Sequence, residues 1–511
     1  MRRSTDRILT THVGALQRPA GLSKAMAEHG EWAPEVLPQL RDAVADVVAR
    51  QQDTGIDVVD DGEFGKTIWM WYVRDRMDGI TARDWSENDE ALLKGRDRDQ
   101  FPGFYAWADA NASLFGYMED SYFWSANVTQ PVVTGPIRYR PEAVRRDIAN
   151  LTAALRDRPA AEAFMPVVAP ASIEVGLADE YYGSRDDLMR ALADAIREEY
   201  KAIIDAGFML QVDDAWVPAT WDRSPEYDLD AYRRYAADSI EVLNHALDGL
   251  PEDRIRYHLC WGSWHGPHAN DIPLADIADI MLRVKAGAYL VEAANSRHEH
   301  EYHLWEDTRL PEGKILIPGV VTHATNQIEH PELVAERITR YADRLGRENV
   351  MAGADCGFGS RIHPELGWAK LAALAEGAAL ASRRIWKRLF CVEPGIPGGV
   401  AAGVVGVEVD EAPLDQPVTD LEDVAPAAGA PLGNSCPPRA VLVLAVARAL
   451  GDHHVAAGED PVEVRVVVRD RLDRPADVTE ELADLRLACR DSPFREVDLR
   501  VVGEKLKDAA A

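Results

Sequence analysis

The chain has 511 residues, 47% hydrophobic and 28% charged, which suits either one large folded domain with an appendage or several domains. Its 56 basic and 86 acidic side chains leave a net charge of −30, a surface that repels phosphate backbones and anionic lipid, so neither nucleic acid nor membrane is expected as a partner. No apolar run reaches the roughly 20 residues of a membrane span, no apolar stretch follows the basic N-terminus, and five widely spaced cysteines suit reduced thiols in a cytoplasm.

In chain order, apolar runs at 8–13, 57–60, 164–169, 208–213, 256–260, 288–292, 315–321 and 350–354 read as strands, with helical patterns between most of them. The clearest helix covers 185–206, where Leu188, Met189, Leu192, Ile196, Tyr200, Ile203 and Ile204 share one face. Ser184 with Asp187 resembles a capping box, and Gly207 stands in the C-cap place. Eight strand–helix alternations predict an α/β fold, a (β/α)8 TIM barrel. Residues 64–160 hold more sequence than one βα unit needs. They are read as an aromatic-rich insertion between the second and third strands that includes the run 131–135. Its aromatics at positions 69–124, with Trp69, Trp71 and Tyr72 first, suit either a satellite core or the wall of a pocket for a flat ligand. The barrel is expected over 1–390. An acidic Pro/Gly-rich linker without Lys or Arg follows at 391–438, then a small α/β appendage at 439–511 that carries no chemical motif.

Alternate residues of a strand share a face, so His258 and Cys260 can converge on one ion. Glu292 and Cys356 close the next strands, and barrel enzymes keep their sites at this C-terminal mouth. Two thiolates, an imidazole and a carboxylate suit tetrahedral Zn²⁺. The run 297–303, with His265 and His268, competes as a second metal site, as a solvated loop, or as histidines (His298, His300) that steady nearby carboxylates. Asp61, Glu63, Asp213 and Asp214 also end strands. Carboxylates there can bind an amine or move protons, while Asp61 and Asp214 equally suit helix capping. The glycine turn at 10–15 can offer N–H groups to a carboxylate, and His323 suits a general acid by its ordinary pKa.

Seven motifs occur in one order: Thr-Thr-x-Val-Gly at 10–14, Asp-Gly-Glu at 61–63, Leu-Gln-Val-Asp at 210–213, His-x-Cys at 258–260, Val-Glu at 291–292, Gly-Val-x-x-His at 319–323 and Asp-Cys-Gly at 355–357. Together they resemble the catalytic C-terminal barrel of the cobalamin-independent methionine synthase family, in its shorter single-barrel form. The resemblance implies catalytic zinc on His258, Cys260, Glu292 and Cys356, a metal-bound thiol that takes the methyl group of methyltetrahydrofolate, and His323 as the acid for the leaving amine. It further implies that Glu63 and Asp213 hold the amino group of homocysteine and that Val13, Gly14 and Ala15 receive its carboxylate. Trp71 would then help wall in a pterin ring.

Departures from the family pattern are present. Asp213-Asp214-Ala215-Trp216 replaces Asp-Glu-Pro, Ala15 replaces serine, and a later amine-binding glutamate has no match near Ala219. These features resemble relatives such as epoxyalkane:coenzyme M transferase. Thiol addition to an epoxide is therefore the second reading, and a non-catalytic barrel with a structural zinc site is the third. The partners expected are a small thiol and a methyl or alkyl donor; a homo-oligomer is compatible with the composition. Limited proteolysis is expected to cut first within 391–438 and to leave a soluble fragment ending near residue 390, read by mass spectrometry. Insolubility of that fragment would show that the tail packs on the barrel.

Overall fold

Strand-forming segments alternate with helices along the chain: β1 (Val58–Val59), β2 (Met77–Asp84), β3 (Thr129–Tyr139), β4 (Glu162–Val168), β5 (Ala178–Asp179), β6 (Met209–Asp214), β7 (Ile255–Leu259), β8 (Ala288–Val291), β9 (Ile315–Val321) and β10 (Gly353–Ala354). Seven of them make one curled parallel sheet in the order β1-β4-β6-β7-β8-β9-β10, while β2, β3 and β5 form a separate three-stranded sheet. This computed structural model describes residues 1–84, 86, 94–111, 113–114 and 129–387, and Met1–Arg383 form a compact unit. The linker and appendage expected at 391–511, and the aromatics Trp85, Phe115, Tyr117, Tyr122, Phe123 and Trp124, lie outside the described residues.

The barrel is closed by the segment expected as its first strand. Thr10 O accepts from the N–H groups of Asp57 (3.1 Å) and Val58 (3.0 Å) on one side. On the other side Thr11 N donates to Ala352 O and Ala352 N to Leu9 O, both at 2.9 Å. The segment makes a single parallel bridge, Thr10 to Ala352, rather than a full ladder. Side chains take part of the pairing: Thr10 N donates to Asp57 Oδ2 at 2.9 Å and Thr10 Oγ1 to Gly55 O at 2.8 Å.

Strand parity builds the interior. Leu9, Val13, Val58, Phe164, Met209, Ala288, Leu290, Ile315, Ile317 and Met351 pack as one buried cluster, alternate residues drawn from successive staves. Continuing the same parity along β6, β7 and β8 leads to Asp213, to His258 and Cys260, and to Glu292. The apolar filling and the polar mouth therefore belong to one face of the sheet.

The expected helix forms at Arg185–Asp205, with Ser184 Oγ accepting from Asp187 N and Gly207 at φ +93°. The strict strand–helix alternation fails after β7 and β8, where the α-helices shrink to Ala278–Met281 and Leu304–Asp307. Gly262, Gly266, Pro267 and Pro273 interrupt helix in the first stretch, and a 3-10 turn at Glu299–His303 fills much of the second. The insertion stands where expected, and the run 131–135 opens β3, antiparallel to β2. Buried Arg76 ties the 3-10 turn Trp71–Arg76 to the barrel helices through Asp147 (2.5 Å) and Glu199 (2.9 Å). No helix among the described residues is long and apolar enough to cross a membrane. Leu290→Ala, which opens a cavity in the barrel interior, is expected to cost about 2–5 kcal/mol in urea unfolding. A loss near zero would contradict this packing.

Candidate active site

His258, at the end of β7, and Cys260, two residues on, face Cys356, which follows β10. The ligand atoms of these three residues lie within 4.8 Å of one another. The two sulfurs are 3.7 Å apart as free thiols. Cys260 donates to Cys356, which lowers the Cys356 pKa against the opposing effect of burial, with His258 assisting; the same bond and burial raise that of Cys260. Burial opposes charge on His258, but Asp213 Oδ1, 3.0 Å from Nδ1, more than offsets it and raises the pKa to about 9. Glu292 is buried at the same mouth but stands outside this threefold group. Its Oε1 accepts from Trp261 N at 3.0 Å and its Oε2 from Asn295 Nδ2 at 2.7 Å.

Asp355 locks the strand ends together. It is fully buried, and its Oδ1 accepts from Ala293 N at 2.7 Å and Ala294 N at 2.9 Å. Its Oδ2 accepts from Asn295 Nδ2 at 3.2 Å. This contact needs a glycine on the neighbouring strand: a Cβ at Gly319 would fall 2.1 Å from Asp355 Oδ1. The positions of Glu292 and Cys356 are thus coupled through Asp355 and Asn295, whose roles sequence reasoning misses although Asp355 opens the Asp-Cys-Gly motif.

A cavity of about 330 Å³ opens beside the two thiols. Val13, Ala15, Glu63, Trp71, Asp213, His258, Cys260 and Cys356 all line it; Gly14, Glu292 and His323 are not among its lining residues. Trp69, Trp216 and Trp264 extend the aromatic wall, the last two stacked at 6.5 Å and 18°. Gly14 sits at φ +140°, where a Cβ would fall 2.7 Å from Glu63 Oε1, so the turn lies directly against that carboxylate. Gly14 N is engaged by His12 Nδ1 at 3.2 Å, so this N–H does not point to a ligand.

Several expectations resolve to structure rather than chemistry. Asp214 has the opposite strand parity from Asp213 and faces the helices. There it accepts from Ser172 Oγ (2.7 Å) and Tyr257 Oη (3.0 Å). Asp61 accepts from Glu63 N at 3.0 Å. Among the described residues the run 297–303 makes no metal-ligand group. His298 instead stacks on Trp261 at 4.1 Å and joins Asp271 (3.2 Å) and Glu301 (2.8 Å), while His268 joins Asp271 at 3.1 Å. His323 is buried, and burial first, then Arg361, His265, His268 and His258, push its pKa well below the ordinary value. Its Nδ1 finds no partner among the described residues. In the free protein it is therefore neutral, which corrects the premise of an ordinary pKa.

Residues 116–379 match the family described as the cobalamin-independent synthase catalytic domain. The chain belongs to this family. It is thereby an enzyme, a transferase of the methyltransferase type. The methionine synthase of Thermococcus kodakarensis is 22% identical over 381 residues, 74% of this chain and 94% of that protein. That of Sulfolobus acidocaldarius is 24% identical over 390 residues, again 74% and 94%. A B12-independent methionine synthase from Shewanella sp. W3-18-1, in complex with selenomethionine, shares the fold with a TM-score of 0.57 at 19% identity, covering 74% of this chain and 99% of that one.

The His268–Asp271–His298 cluster supports this family barrel electrostatically. Burial opposes both imidazolium charges, yet the carboxylates raise His268 to about 9 and His298 to about 10. Folded-state values above the unfolded 6.5 stabilise the fold fully below that pH, and the contribution disappears as pH rises through 9 to 10. Asp271→Asn is expected to cost about 3 kcal/mol in urea unfolding at pH 6 and much less near pH 10. An equal cost at both pH values would exclude charged imidazoles.

Proposed function

We propose that the chain is a zinc-dependent thiol methyltransferase that takes its methyl group from a reduced folate such as 5-methyltetrahydrofolate. The observation that carries this reading is the convergence of His258, Cys260 and Cys356 at the mouth of a barrel of this family. Two sulfurs and an imidazole fit a borderline-soft ion, and Glu292 would complete the set after turning from Trp261 N. Such a metal lowers the pKa of a bound thiol, so that the nucleophilic thiolate prevails at neutral pH.

The chain's own residues do the rest. The Asp213 carboxylate on Nδ1 fixes the His258 ring, and Nε2, which faces Asp355 O at 3.3 Å, would turn its lone pair to the metal. Asp355 and Asn295 hold the backbone and carboxylate beside the metal ligands in place. Trp69, Trp71, Trp216 and Trp264 give a flat donor a wall to stack on and exclude water from the reacting atoms. In the transfer a sulfur–carbon bond forms as the carbon–nitrogen bond of the donor breaks; the acceptor has lost its thiol proton and the leaving nitrogen gains one. His323 is assigned that proton. It must first be charged; burial is the main force that lowers its pKa, and an anionic donor near Arg361 would offset part of the positive field that adds to it.

Metal analysis and X-ray absorption at the zinc edge test the reading. About one zinc per chain is expected, and Cys260→Ser and Cys356→Ser should each abolish retention, because a hydroxyl replaces thiolate poorly. His323→Ala should keep the metal and slow transfer by about 10²–10⁴-fold. Trp71→Ala should weaken binding of reduced folate and spare the thiol. Full zinc occupancy in both cysteine variants would refute the site. A zinc site that no thiol perturbs would be structural. Failure of any reduced folate to bind, with metal-dependent consumption of thiol by a small epoxide, would replace methyl transfer by epoxide opening.

A further inference from the structure

The cavity beside the thiols is lined by two carboxylates, Glu63 and Asp213, and by three cationic side chains, Arg18, Lys66 and Arg361. Both carboxylates already serve partners from the chain. Lys66 Nζ lies 3.1 Å from Glu63 Oε2, with each side chain only 7% exposed. The same ammonium donates to Pro166 O and stands over the Tyr72 ring, 4.7 Å from its centroid. A carboxylate, a carbonyl and an aromatic face are the contacts an amino-acid ammonium would seek. Lys66 takes that place from within the protein. Asp213 Oδ1 in turn accepts from Gln211 Nε2 at 2.7 Å and faces His258 Nδ1 at 3.0 Å. On its other side Glu63 is closed off by the turn at Gly14, where even a single added Cβ would come within 2.7 Å of Oε1.

An ammonium entering here would meet Lys66 as a like charge and would have to break a buried ion pair, leaving one member uncompensated. With Lys66 spent on Glu63, an anionic tail meets Arg18 and Arg361 against one remaining carboxylate, Asp213, which Gln211 and His258 already engage. Arg361, 6% exposed and held by Ser263 Oγ at 2.6 Å, brings positive charge to the side of the two cysteines. We propose that the acceptor is a thiol with an acidic tail and no amine, a mercapto acid. This rests on the thiol-transferase reading and specifies its acceptor.

Three thiols of matched length separate the possibilities on the full, metal-loaded chain: 4-mercaptobutyrate (acid only), L-homocysteine (acid and amine) and 3-aminopropane-1-thiol (amine only). Binding is read by calorimetry and, with cobalt in place of zinc, by the thiolate-to-metal absorption band. 4-Mercaptobutyrate is expected to bind about tenfold or more tightly than L-homocysteine, the cost of one poorly matched charge, and 3-aminopropane-1-thiol weakest. Lys66→Met, which frees Glu63, should shift the ratio at least about tenfold towards L-homocysteine. Should that variant fail to fold, the wild-type series decides alone. If L-homocysteine binds wild type as tightly as 4-mercaptobutyrate or more so, the inference is overturned while the thiol-transferase reading stands. If no thiol alters the cobalt spectrum, that reading fails and the inference falls with it.

Discussion

Side-chain alternation along parallel strands is the constraint on which this molecule depends. One face of the curled sheet must be apolar where the barrel is filled and polar where it opens. The interior cluster runs through Met209, Leu290 and Ile317, and the same face continues to Asp213, His258 and Glu292. A shift of one residue in any stave would exchange inside for outside. Asp213 and Asp214 display that rule side by side: the first lines the cavity, the second is tied to Ser172 and Tyr257 behind the sheet.

The mouth is expensive to build, because it gathers charged and polar groups in a buried place. The structure meets part of that cost by pairing charged groups with one another and with backbone. Asp355 is saturated by two backbone N–H groups and Asn295. Arg337 joins Ala294 O, Val320 O and Glu299, fastening the loop after β8 to β9. His268 and His298 are balanced by the two carboxylates of Asp271 and Glu301 beneath Trp261 and Trp264. The His323 Nδ1 stands without a partner among the described residues, while the thiols of Cys260 and Cys356 engage each other at 3.7 Å.

The insertion gives the barrel its particular pocket. Arg76, buried between Asp147 and Glu199, anchors the turn that carries Trp71 to the cavity. Lys66 stands at the start of the same excursion and pairs with Glu63. The segment that distinguishes this chain from a plain βα unit thus supplies part of the aromatic wall, Trp69 and Trp71, and the cation that pairs with Glu63.

The sequence by itself marked the staves, the closing order of the barrel, the place of the insertion and a group of His258, Cys260, Glu292 and Cys356, because strand period and strand-end position are local properties that order transmits directly. Of that group the structure brings His258, Cys260 and Cys356 together and holds Glu292 apart. Tertiary structure alone decided partnership. Lys66 is three residues from Glu63, a spacing common on any surface, and only burial on both sides turns it into a neutralised pair. His323 carries no local mark of its lowered pKa, which follows first from burial in the folded barrel and then from Arg361 and three histidines of other segments. The single bridge by which residues 9–11 close the barrel likewise depends on side chains such as Asp57 that compete for backbone bonds. Charge compensation and hydrogen-bond competition act between distant parts of the chain, and linear order does not encode them in any one segment.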